Sequence, residues 1–149
     1  MSLQTKVMDA LKEAMKAKDT IALESLRAIK SAILLAKTEA GAAAELAEEE
    51  ELKLLQKLVK QRKDSAALYA QQGRNDLAEP ELAQVAVIEK FLPKQLSEAE
   101  VADAVKAIIA EVGATSAKDM GKVMGVATKQ LAGKTDGKVI SAIVKSLLA

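Results

Sequence analysis

The sequence has no cysteine, no histidine and no tryptophan, and Tyr69 and Phe91 are its only aromatic residues. Without cysteine there is no disulfide framework, thiolate nucleophile or zinc–thiolate site. Without histidine the usual general base and the commonest transition-metal ligand are gone. Most hydrolase constellations are thereby excluded. Neither charge sign dominates: 22 Lys and Arg face 21 Asp and Glu, for a formal net charge of +1. A general polyanion-coating protein would be strongly basic, so any charge-driven partner must be met locally. Long apolar runs are absent as well, and Met1 to Lys6 carry no signal-type apolar stretch. The expectation is a cytoplasmic protein with no membrane span.

Proline (2) and glycine (7) are scarce in the 149 residues, whereas 29 alanines and 19 leucines supply the two best helix formers. The composition is all-α. Apolar residues recur at helical spacing from Leu3 to Met15 and, after a break at Asp19-Thr20 where either residue could cap, from Leu23 to Ile33. A third pattern runs from Leu52 to Tyr69 behind the acidic run Glu48 to Glu51, which suits a helix N-terminus. A fourth spans Leu77 to Leu92, with a boundary or bend expected at Pro80 because proline is tolerated only in a first turn. Leu92-Pro93 ends it. Ser97 to Glu100 then has capping-box form. Three short helices follow, around Val101 to Val112, Met120 to Leu131 and Val139 to Leu148, with Ser116 and Asp136 as N-caps of the last two. The expected organisation is a helical domain of about four helices over 1–92, a linker over 93–96 and a three-helix tail domain over 97–149.

Charge is distributed unevenly on this plan. Residues 113–149 hold 6 basic and 2 acidic side chains, a local surplus of +4. A second cluster, Lys53, Lys57, Lys60, Arg62 and Lys63, follows the acidic run, and much of it is accounted for by intrahelical pairing. Leu131-Ala132-Gly133-Lys134-Thr135 has the ending of a phosphate-binding loop, but Thr128 stands where the first glycine is required and no strand precedes it. A helix C-cap followed by an N-cap explains the string better.

Gly121 and Gly125 lie four apart in one helix, each costing about 1 kcal/mol relative to alanine. Two readings remain open. Either another helix or loop of the protein comes close to them, or a bound partner's backbone does, with Lys118 and Lys122 as charge contacts. The serines sit in no glycine-rich elbow, so no covalent catalysis is expected from them. The Glu48 to Glu51 run lacks convergent geometry for a metal. Both aromatics look buried by periodicity, which argues against base stacking. Phosphate and ribose contacts through Lys118, Lys122, Lys129, Lys134 and Lys138 remain, with amides near Ser116 and Asp136.

Five strings in order carry a resemblance: Leu26 to Lys30, Lys60 to Ser65, Leu92 to Ser97, Lys118 to Gly125 and Asp136 to Lys138. Together they resemble the stand-alone YqeY-like proteins of the GatB/YqeY family over nearly the whole chain. Ala40 to Glu51 and Pro80 match none of the family strings. The resemblance implies helical and tail domains similar to the C-terminal part of the B subunit of the tRNA-dependent amidotransferase. There these regions help to hold tRNA while a separate domain, absent here, does the chemistry; similar modules are fused to a glutaminyl-tRNA synthetase. It also places Lys118, Gly121, Lys122, Gly125, Gly137 and Lys138 in the tail motif.

The favoured expectation is an accessory tRNA-binding module with no catalytic residue, metal or cofactor. Its candidate contacts are Lys118, Gly121, Lys122, Gly125, Lys129, Lys134, Gly137 and Lys138, with the Lys53 to Lys63 cluster secondary. The alternative is a helical adaptor docking on a tRNA synthetase or amidotransferase subunit. The family's carbon–nitrogen ligase label, with glutamine as amido donor, is expected to have content only within a complex.

Overall fold

A computed structural model describes residues 2–41 and 45–149. Of the alanine- and glutamate-rich stretch between Ala40 and Glu51, residues 42–44 lie outside the described part. All regular structure in the described residues is helical: α1 (Leu3–Ala17), α2 (Thr20–Ala40), α3 (Glu48–Gln71), α4 (Asn75–Glu89), α5 (Glu98–Val112), α6 (Met120–Gln130) and α7 (Gly137–Leu148). A one-turn 3-10 helix, Ala117–Asp119, precedes α6. No helix among the described residues is long and apolar enough to cross a membrane. The chain packs as two compact units, Met1–Leu92 and Pro93–Ala149.

In the first unit, Ser2 starts α1 by accepting from the Thr5 amide at 3.2 Å, and Asp19 starts α2 by accepting from the Ala22 amide at 3.1 Å. Asp19 is thus the capping residue at the break. Between the two helices Lys18 adopts the left-handed conformation, φ 56°, and its amide bonds back to Ala14 and Met15. The four glutamates Glu48 to Glu51 fill the first turn of α3, where the exposed amides favour negative charge. Leu3, Val7, Leu26, Ile29, Ile33, Leu55, Val59, Val85 and Ile88 form the core. Each large aliphatic side chain there contributes about 1.5–3 kcal/mol by leaving water.

Two local expectations are corrected in this unit. The α4 helix begins at Asn75, not at Pro80, and continues through the proline. Pro80 lies in the second turn, so only the bond to the Asp76 carbonyl is lost. Packing of α4 on α3 through buried Ala78, Val85 and Ile88 outweighs that loss. Tyr69 and Phe91 are half-buried instead of buried, with Phe91 lying against the edge of the core.

In the second unit each helix contributes one face to a single core: Val101, Val105 and Ile108 from α5, Val123, Ala127 and Leu131 around α6, and Ile140, Val144 and Leu148 from α7. Residues 93–96 are held to this unit. Gln95 Nε2 donates to the carbonyls of Gly133 (2.7 Å) and Pro93 (2.9 Å), and the Leu96 amide donates to the Lys134 carbonyl at 2.9 Å. Ser97 and Glu100 form the expected capping box. Ser116 makes no side-chain cap, contrary to expectation. Asp119 takes over the loop instead, its Oδ2 accepting from the Thr115 amide at 2.9 Å.

Candidate nucleic-acid interface

At 100° per residue, Val123, Ala127 and Leu131 mark the core side of α6, and Gly121, Lys122, Gly125 and Lys129 fall together on the opposite side. All four are exposed. The backbone periodicity that buries three apolar residues therefore also gathers two lysines and two glycines on one solvent face.

The glycines do not admit another part of the protein. A Cβ built at Gly121 or Gly125 meets nothing within 4 Å, so the expectation that a neighbouring helix or loop fills these positions is overturned. Two glycines that lower helix stability without relieving any internal clash leave a strip of α6 backbone open to an external group. Gly137, at the first position of α7, is equally open.

No ion pair among the described residues involves Lys118, Lys122, Lys129, Lys134 or Lys138. The two carboxylates within 113–149 are both occupied by backbone amides, Asp119 by Thr115 and Asp136 by Lys138 at 3.0 Å. Lys118 lies in the 3-10 turn just before the α6 face. Lys138 is in the first turn of α7, while Lys134 is half-buried in the loop joining α6 to α7. The Asp136 cap also corrects the expectation that amides near that residue are presented to a ligand: a carboxylate already covers them. Near Ser116 the helix is a single 3-10 turn. The exposed ammonium groups are the cationic features this unit presents to solvent.

Lys145 is one of the six basic residues of 113–149 but not one of the candidate contacts expected from the sequence. It lies seven residues after Lys138 and shares the outer face of α7 with it, both exposed, opposite buried Ile140 and Val144. Heptad spacing of the two lysines is the signal that finds it.

The secondary basic cluster is differently arranged. Lys60 pairs with Asp64 at 2.8 Å and Lys63 with Glu89 at 3.4 Å. Arg62 donates from Nε to Gln84 at 2.8 Å and from Nη1 to the Leu58 carbonyl at 3.1 Å, tying α3 to α4. Lys53 and Lys57 are exposed one turn apart on α3. Three of the five cations thus serve the first unit's own helices. No group of Asp and Glu among the described residues is arranged to hold a metal ion.

The family profile described as Yqey-like protein matches residues 4–148. Among curated proteins, the chain is 42% identical over 82 residues to altered inheritance of mitochondria protein 41, mitochondrial, of Clavispora lusitaniae. That match takes in 55% of this chain and 46% of the relative, so the shared part spans about half of each.

Proposed function

The chain belongs to the YqeY-like protein family, and from that premise we propose that its second unit is an accessory tRNA-binding module. It grips the phosphate backbone of a folded tRNA and performs no chemistry of its own. The observation that carries this reading is the outer face of α6, where Gly121 and Gly125 lie beside exposed Lys122 and Lys129 and no described residue comes within 4 Å of a Cβ built on either glycine. A ribose-phosphate strand brings both features such a face suits: anionic oxygens for ammonium groups and a ridge that needs a low surface. With no aromatic residue in the second unit, recognition is by shape and charge and not by stacked bases. The cytoplasm is the expected compartment; the name of the Clavispora relative places that protein in mitochondria.

Filter binding or fluorescence anisotropy with full-length protein and unfractionated tRNA tests the proposal. If three to five phosphates are neutralised, log affinity falls with log salt at a slope of about −2 to −4, from ~0.7–0.9 per phosphate. Lys118→Ala with Lys122→Ala flattens that slope by about 2 and weakens binding. No binding at about 50 mM salt, or a slope unchanged by the double variant, overturns the reading. The purified chain given glutamine and mischarged tRNA is expected to form no amide; amidation by the chain alone would move the reading to an enzyme.

A further inference from the structure

A different surface stands out on the α1–α2 pair, and it rests on observations independent of the second unit. Gln4, Met8, Leu11 and Met15 recur at spacings of four, three and four, forming one stripe down α1. Leu23, Arg27, Lys30, Leu34 and Lys37 form the equivalent stripe on α2. Lys37 Nζ donates to Gln4 Oε1 at 2.6 Å, which sets the start of α1 beside the end of α2. Between the helices lies a mainly apolar groove of ≈ 60 Å³ lined by Gln4, Val7, Lys30, Ile33, Leu34 and Lys37. At less than half the ~150 Å³ of an enclosed cavity that admits benzene, this groove is a shallow depression that a single aliphatic side chain can cap.

Its surroundings are unusual for a solvated face. Leu34 is 66% exposed, Met15 54% and Met8 40%, so large apolar side chains stand in water along both stripes. Arg27 and Lys30 are exposed among them. The carboxylates of these helices point elsewhere or are engaged. Asp9 and Glu13 lie on the far side of α1 by helical phase, Asp19 caps the Ala22 amide, Glu24 accepts from Gln84 at 3.2 Å, and Glu39 lies across α2 from the stripe. At the Lys37 end Glu45 and Glu51 line an adjoining depression, and Glu51 there accepts from the Leu3 amide.

We propose that this groove docks an acidic amphipathic helix of a protein partner. An aliphatic side chain of that helix seats against exposed Leu34 over the groove, whose floor is the buried Val7 and Ile33, Met8 and Met15 mould around its neighbours, and its carboxylates meet Arg27 and Lys30. Flexible methionines beside an apolar groove suit helix-in-groove recognition, and the excess of cations selects an acidic partner. Exposed leucine and methionine have no use in phosphate binding, which separates this surface from the α6 face. A bilayer fits it less well, because the groove is concave and no tryptophan or tyrosine borders it.

The test uses the full-length chain and a fluorescein-labelled synthetic peptide of about 18 residues, long enough for helix formation. Leucines at helical spacing are set among glutamates and alanines, and a control has the same composition scrambled. The expected result is saturable, salt-sensitive binding of the amphipathic peptide, with the control at least about tenfold weaker. Leu34→Asp, and separately Arg27→Glu with Lys30→Glu, weaken it by about tenfold or more and leave tRNA affinity unchanged. Leu34 and both basic residues are exposed, and thermal melts by circular dichroism check that the variants fold. Methyl resonances of Met8 and Met15 shift on titration while those of Met120 and Met124 stay in place. Absence of binding, equal binding of the scrambled peptide, or insensitivity to both variants overturns the proposal. So does Leu34-dependent uptake of phosphatidylserine-containing vesicles in place of the peptide.

Discussion

Ser97 and Glu100 secure the start of α5 for each other: the Glu100 amide donates to Ser97 Oγ and the Ser97 amide donates to Glu100 Oε1, both at 3.2 Å. The Ser97 amide, and after it the Ser97 hydroxyl, hold the Glu100 carboxyl below its ordinary range. A carboxyl whose pKa is lower in the folded than in the unfolded chain contributes stability above its unfolded value. That contribution is lost as pH falls through the folded one. The second unit is therefore expected to weaken on acidification through the carboxylate range. Glu100→Gln, which keeps an acceptor but cannot titrate, should remove part of the acid limb in thermal melts followed against pH. Ser97→Ala removes the cap at every pH, at a cost of about 1 kcal/mol.

Gly121→Ala and Gly125→Ala should separate folding from binding. Each added methyl enters open space on an exposed helix, so each is expected to raise the stability of the second unit by about 0.5–1 kcal/mol. If an RNA backbone lies on that face, the same substitutions weaken tRNA binding. Denaturant unfolding and anisotropy on the same samples read the two effects. Stabilisation without any loss of affinity would remove the glycines from the interface while leaving the lysines in it.

The two cores should fail separately. Ile108 is 1% exposed and Ile29 0%, one in each hydrophobic cluster. Truncation of either to alanine costs about 2–5 kcal/mol, which is most of what a small helical domain possesses. Ile108→Ala is expected to abolish tRNA binding and leave Tyr69 fluorescence unchanged, since both aromatic residues belong to the first unit. Ile29→Ala should perturb Tyr69 and spare the salt-dependent binding.

Arg62 and Lys63 are expected to behave as structural cations. Arg62→Ala deletes the bonds to Gln84 and to the Leu58 carbonyl and should cost the first unit about 1 kcal/mol. Lys63→Ala opens a partly exposed pair with Glu89 and should cost less than about 1 kcal/mol. Neither is expected to change the tRNA salt slope; a fall in affinity matching that of the Lys118 and Lys122 variant would extend the interface onto α3.

The helices were legible because each rests on a strong periodic signal, and Ser97, Asp19 and Asp136 cap where their type and position indicate. What escaped the sequence depends on groups far along the chain. Pro80 is kept within α4 by packing on α3, which a local rule cannot weigh. Ser116 makes no side-chain cap because the turn after it closes as a 3-10 helix, and the Asp119 carboxylate three residues on holds the Thr115 amide of the loop instead. The spacing of Gly121 and Gly125 gave the same signal for close packing as for an open face, and only the arrangement of neighbouring segments decides between them. In the basic cluster on α3, the Lys60–Asp64 pair follows from a spacing of four, whereas the Lys63–Glu89 and Arg62–Gln84 contacts require α4 in place.

The joint at Lys18 and Asp19 has a mechanical consequence. With the Lys18 amide returned to Ala14 and Met15, the Asp19 amide bonded to the Ala14 carbonyl, and α2 starting at Thr20, there is no slack between the helices. One residue inserted there would turn α2 about its axis by about 100°. Ile29 and Ile33 would swing into water and Arg27 and Lys30 would lose their register with Met8 and Met15. Chain length at this corner sets the phase of α2 for the interior and for the outer groove at once, so neither can be retuned by a length change without disrupting the other.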